Sequence, residues 1–247
     1  LTARSYPWFT DVMTNDDIVS KIQALLAKAE GGTTPEEAEA LIGKAQQLMA
    51  RHAIDEAMLR RTDHTGEQPT AVELKIDAPY ASQKTSLLNV ISKTNGVRAV
   101  LLSGRGGTVW LGGFPSDIER VKAMFSSLLI VGQSAMVRER AAHPEVHGRS
   151  FASSFWHAFA LRIGVRLTAA TEAAEADAEA EQGHSVALAL VDRKGAVDAL
   201  AAERFERGLV TRKTRFSLNA GATAGDRAGR SANLSSSLGG GRATLCR

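Results

Sequence analysis

Cysteine is nearly missing from this chain: Cys246, beside the C-terminus, is the single one in 247 residues. No disulfide can close within the chain, and no cage of thiolates can hold a metal. That usage suits a reducing cytoplasm. Aromatic residues are scarce as well, at 5%, so Leu, Val, Ile and Ala must fill the core. The hydrophobic fraction of 44% is enough for one. No stretch approaches the roughly 20 apolar residues of a membrane span. The opening "LTARSYPWFTDV" also lacks a continuous apolar core of signal-peptide length. The charge excess is small, +3 with a pI of about 9.2. By itself that is weak support for an anionic partner.

Leu1 is an unusual first residue, and Met13 stands just before the first helix signal. Residues 1–12 therefore read as a non-native or disordered leader before a true start at Met13; an ordinary frayed N-terminus is the alternative. From there the pattern is helical. Ile18, Ile22, Leu25, Leu26 and Ala29 recur at helix spacing. Asn15, Asp16 and Asp17 supply a cap and favourable charge, and Gly31-Gly32 ends the helix. In "TTPEEAEALIGKAQQLMARH", Thr34 caps, Pro35 fits the first helical position and Glu37 closes a capping box. Ala38, Leu41, Ile42, Ala45, Leu48 and Met49 form its apolar stripe. Two amphipathic helices joined by a short loop make an antiparallel hairpin over residues 13–61. Asp55 is expected to cap a third short helix through Arg61.

A hairpin of helices can also read DNA. A reader, however, turns the N-terminal residues of its second helix toward the bases. Here those residues include Glu36, Glu37 and Glu39, which phosphates would repel. The hairpin is a packing unit.

Residues 62–70, "TDHTGEQPT", read as a linker to a mixed α+β domain over 71–206. "AVELKI" (71–76) alternates like a strand, and 82–96 reads as a helix ending at Gly96. "VRAVLLS" and "TVWLGG" flank "GRGG" as a β-hairpin. Residues 116–140 form a helix with Ile118, Val121, Phe125, Leu128 and Leu129 inward. After the break "HPEVHGRS", Phe151, Phe155, Phe159, Ile163 and Leu167 step by four along a long helix. Its acidic end, "TEAAEADAEAEQ", suits a solvated helix end. "SVALALVD" (185–192) reads as a buried strand and 193–205 as a helix. The remainder, 207–247, reads as a basic flexible tail with a short helix near 223–234. The fold class is α+β: a helical hairpin, then a domain with a small sheet, a long helix and that tail.

The hairpin residues carry a resemblance. "KIQALLAKAEGGTTPEEAEALIGKAQQLMARHAID" resembles the DUF 2786 family, a domain of unknown function. Lys21, Lys28, Pro35, Glu36, Glu37, Ala38, Lys44, Leu48, Met49, Ile54 and Asp55 stand at the positions of its pattern. The segments "TVWLGGFPSDIERVKAMFSSL", "GRSFASSFWHAFALRI" and "LALVDRKGAVDALAAERF" look like the region that usually follows it. The resemblance implies a bacterial or phage setting. It implies no catalytic residues, because the family has no agreed ones.

Candidate chemistry is sparse. His143, Glu145, His147 and His157 have ligand atoms for zinc, but "HPEVH" lacks the H-E-x-x-H spacing that puts two imidazoles on one helix face. "SGRGGT" leads into a strand and has no Lys-Ser/Thr, so it is a turn rather than a phosphate loop, with Arg105 at its tip. Ser153 and Ser154 lie within helical reach of His157, without an elbow motif around either serine. Asp192 and Arg193 end the expected strand, with Asp198 and Glu203 on the next helix; a salt bridge is the plain reading. The tail carries Arg207, Arg212, Lys213, Arg215, Arg227, Arg230 and Arg242 among small residues, with Phe216 available to stack on a base. Such a segment neutralises phosphates without reading sequence. The expectation is a cytoplasmic, non-enzymatic protein without cofactor or metal. It would bind nucleic acid non-specifically or dock to a nucleoprotein partner through Arg207, Arg212, Lys213, Arg215, Phe216, Arg227 and Arg230. A scaffold using the hairpin, and a hydrolase or metal enzyme using the histidines, are the alternatives.

Overall fold

The computed structural model describes residues 15–30, 35–63, 67–102, 107–183, 185–206, 208–210, 218–230 and 232. Seven helices and three strands stand among them. Helices α1 (Asn15–Glu30) and α2 (Pro35–Asp63) form the N-terminal pair. Asp16 and Asp17 occupy the first turn of α1, where the helix dipole favours them. Ile18, Ile22 and Leu26 of α1 are buried with Ala45 and Met49 of α2, in the core that also holds the sheet. The second helix differs from expectation at its end. It runs without interruption to Asp63, so there is no separate third helix. No Gly or Pro lies between Arg51 and Arg61 to stop it. Asp55 sits in mid-helix and pairs with Arg51 at 3.4 Å, one turn away.

Strands β1 (Thr70–Lys75), β2 (Arg98–Leu101) and β3 (Thr108–Gly113) form an antiparallel sheet in the order β1-β3-β2. Leu111 of the central strand faces Val72 on one side and Ala99 on the other. Leu102 donates its N–H to Thr108 O at 2.9 Å, closing the β2–β3 hairpin. Its expected turn at 103–106 lies outside the described residues, as does Arg105. Between β1 and β2 comes α3 (Ala81–Thr94), and Gly96 follows it with φ +67°, a conformation that favours glycine.

Helix α4 (Pro115–Ala141) starts with proline in its first turn, and α5 (Gly148–Gln182) is the long helix. The five α5 residues that step by four, Phe151 to Leu167, are all buried. Phe155 stacks on Phe159, and Trp156 meets both edge-on. The acidic end of α5 is not merely solvated. Ala174 and Ala178 are buried there, and Ala178 packs with Ile54 of α2. Glu181 accepts a hydrogen bond from Arg51 at 2.7 Å.

The expected strand at 185–192 is helical: α6 spans Ser185–Arg204. Its buried residues are Val186, Ala189, Arg193, Val197 and Ala201, a period of three and four, while Leu188 and Val191 are exposed. A short Ala/Val/Leu run does not distinguish strand from helix by periodicity, and the continuation through Ala201 decides it.

Helix α7 (Ala220–Arg230) falls inside the stretch read as a tail. It is packed rather than loose. Gly221, Gly225 and Gly229 face α5 so closely that a Cβ on Gly225 would sit 2.2 Å from Phe155 O. Asn219 Oδ1 accepts the Gly221 N–H at 2.9 Å and so caps the helix. Residues 211–217 and 233–247 lie outside the described residues.

Candidate functional site

Two features stand out where α2, α4 and α6 meet. The first is a buried charge network. Phe114 and Pro115 start α4, which puts Ser116, Asp117 and Arg120 on its first turns, all three buried. Arg193 reaches across from α6. Its guanidinium donates from Nη2 to Asp117 Oδ2 at 2.8 Å and to Glu56 Oε2 of α2 at 2.9 Å. It also lies over the Phe114 ring, 3.8 Å from the centroid. Arg120 donates to Asp117 and, at 3.3 Å, to Glu56. Ser116 Oγ lies 2.7 Å from Glu67 and 3.0 Å from Glu56, and its N–H donates to Glu67 at 3.1 Å. Two arginines are thus shared between two carboxylates, Glu56 and Asp117, while Ser116 holds a third, Glu67. Such pairing is needed because an ion without a partner in this interior would cost several kcal/mol.

The second feature is a cleft of about 540 Å³ that opens beside the network. Ala50 and Ile54 of α2 line one side, Lys93 and Arg98 another, and Leu190, Lys194 and Val197 of α6 the third. Asp117 and Arg193 are shared with the network. Asn95 borders the cleft in a buried amide pair: Gln46 Nε2 donates to Asn95 Oδ1 at 3.0 Å and to Thr171 Oγ1 at 2.9 Å. Arg98 pairs with Asp198 at 2.9 Å, joining β2 to α6. Glu175 also lines the cleft. Burial first, and then the charge of Glu172, push its carboxyl above the ordinary range, toward the neutral form.

The residues expected to bind nucleic acid fall into two groups. Arg207, Arg212, Lys213, Arg215 and Phe216 lie outside the described residues. Arg227 and Arg230 are exposed on α7, where Arg227 pairs with Glu139 at 2.8 Å and Arg230 with Asp226 at 2.9 Å. Asp226 also accepts from Arg162 of α5 at 2.7 Å. That guanidinium, with Arg230 adding to it, holds the Asp226 carboxyl below its ordinary value. A depressed carboxylate stabilises the fold above its unfolded pKa, and the contribution fades as pH falls through the folded value. Asp226→Asn should therefore be less stable than the parent at pH 7 in urea unfolding. The gap should close as pH falls below the ordinary aspartate range. An equal gap at pH 7 and below that range would show that the ion pair is not its source.

Of the four metal candidates, His143 Nδ1 and Glu145 pair at 3.1 Å, and His143 packs against the Phe151 ring. Among the described residues no group of three or more His, Cys, Asp or Glu is arranged to hold a metal ion. Burial lowers the pKa of His157, farther along α5. Ser153 Oγ accepts a hydrogen bond from Gln83 at 3.0 Å. A hairpin docking surface needs apolar residues left over after packing. Among the described side chains of α1 and α2, Leu59 is the large apolar one that is exposed. Arg193 and Asp198 do enter salt bridges, with partners on α2, α4 and β2.

Sequence reasoning passed over Glu56, Asp117, Arg120 and Lys93. A signal existed for Asp117, which precedes Val121, Phe125 and Leu128 at helical spacing, so a charge stands in an apolar stripe.

The protein family described as "Protein of unknown function (DUF2786)" matches residues 17–56, which cover most of α1 and α2 as far as the network residue Glu56. No curated protein and no solved structure matches the chain. Among the described residues no helix is long and apolar enough to cross a membrane.

Proposed function

We infer that this chain is a non-enzymatic accessory protein of the cytoplasm that binds nucleic acid without sequence preference through the basic segment after α6. One observation carries the reading. Leu209, which follows Arg207 and precedes Arg212, Lys213 and Arg215, lines the cleft beside Lys93 and Lys194. The basic segment therefore starts where other cations already face solvent. A backbone of phosphates running along such a surface would release counterions at each contact. The bacterial and phage setting of the family, with the later segments as its usual companion region, is consistent with such a role.

The test is fluorescence anisotropy of a labelled single strand and a labelled duplex across a salt series. The full chain should be compared with the triple variant Arg212→Ser/Lys213→Ser/Arg215→Ser. Truncation after Phe205 is unsuitable, because it strips α7 from α5. Binding should weaken with salt, and the triple variant should lose about 2 from the single-strand log–log slope, at roughly 0.7 per phosphate. No binding at low salt, or an unchanged slope, would refute the reading.

A further inference from the structure

The cleft has a composition that the basic segment does not explain. At about 540 Å³ it falls within the size range of small-molecule sites. Most of its charges already have partners: Arg193 holds Asp117 and Glu56, and Arg98 holds Asp198. Lys93 on α3 and Lys194 on α6 are different. Both are exposed, both line the cleft, and neither has an ion-pair partner among the described residues. Two uncompensated ammonium groups on separate elements suit one dianion better than a single carboxylate, which would neutralise only one of them. The lining also includes the apolar side chains of Ile54, Val97, Leu190 and Val197. Asn89, an exposed residue of the lining, offers an amide that can both donate and accept. A ligand with a doubly charged head, a flat body of low polarity and a hydrogen-bonding edge matches all three surfaces.

The geometry points to a binding site for a nucleoside monophosphate unit in this cleft, with Lys93 and Lys194 holding the phosphate and Ile54, Leu190 and Val197 against the base. Glu175 lines the same cleft, where burial pushes its carboxyl toward the neutral form. The unit can come from two sources: a free mononucleotide or the phosphorylated end of a strand. The site needs none of Arg212, Lys213 and Arg215, so it stands or falls apart from the reading above.

Isothermal titration of the full chain with AMP, with inorganic phosphate, and with hexathymidylate carrying or lacking a 5′-phosphate tests it. AMP should bind saturably at one site and more tightly than phosphate. Lys93→Glu/Lys194→Glu should raise its Kd at least tenfold, with circular dichroism confirming an intact fold, since both side chains are exposed. The triple variant of the basic segment should leave AMP affinity unchanged. Tighter binding of the 5′-phosphorylated hexamer than of its twin supports the strand end as the source; equal binding of the two, with AMP retained, supports the free nucleotide. Absence of AMP binding at millimolar concentration, an unchanged Kd in the double lysine variant, or phosphate binding as well as AMP would each overturn the proposal.

Discussion

Arg193→Leu should cost about 3–5 kcal/mol of folding stability, the usual penalty for removing one partner of a buried ion pair. The substitution leaves Asp117, 3% exposed, with Arg120 as its remaining cation, and it takes from Glu56 its closest one. It also strips the guanidinium from the Phe114 ring. Urea unfolding at pH 7 reads the loss as a lower midpoint. Arg193→Lys keeps a charge but not the planar fork that reaches Asp117 and Glu56 together, so it should recover only part of the loss. The double variant Asp117→Leu/Arg193→Leu should cost less than the two single changes added, because each removes the ion that the other strands. A loss below about 1 kcal/mol for Arg193→Leu would mean that solvent replaces the arginine and that the network is not a true interior.

Gly225→Leu should be nearly as damaging, by a different route. The new side chain would have to start 2.2 Å from Phe155 O, a backbone atom of α5 that cannot swing aside. Overpacking usually costs about 1–3 kcal/mol, and the upper end applies where nothing yields. If α7 lifts away, Asp226 leaves Arg162 and the buried phenylalanine face of α5 loses its cover. Hydrogen exchange across 220–230 should then rise toward unprotected rates. Gly195→Ala is the matching control: Gly195 is an exposed position within α6 with no neighbour within 4 Å of a Cβ there. It should be neutral or stabilising by up to about 1 kcal/mol. Equal effects at the two glycines would contradict the close α5–α7 approach.

Much of this architecture was legible because its apolar residues repeat cleanly. The alternation of 71–76, the β2–β3 pair and the fours of Phe151–Leu167 each follow from one period. Failures came where period gave no guidance. The run at 185–192 is apolar on every side, so only the longer α6 pattern settles it. The site was less legible still. Glu56, the Asp117–Arg120 pair and Arg193 are far apart in sequence and meet through the packing of three helices. Nothing local in the chain announces that meeting. Likewise, glycines at 221, 225 and 229 read as loose tail until α5 lies against them, since the absence of a side chain carries meaning only beside a neighbour.

Helix α2 is one unbroken rod of 29 residues, and the family match stops at Glu56, inside it. What heredity repeats and what folds as a unit therefore have different edges. Beyond Glu56 the same rod continues for two more turns, and before it Gln46 already clasps Asn95 and Thr171. Expressed alone, 17–56 would show water the flanks by which it grips α3, α5 and α6. A recombination event that shuffled the motif into another protein would have to bring a substitute for those surfaces, so the motif is a graft that needs its host.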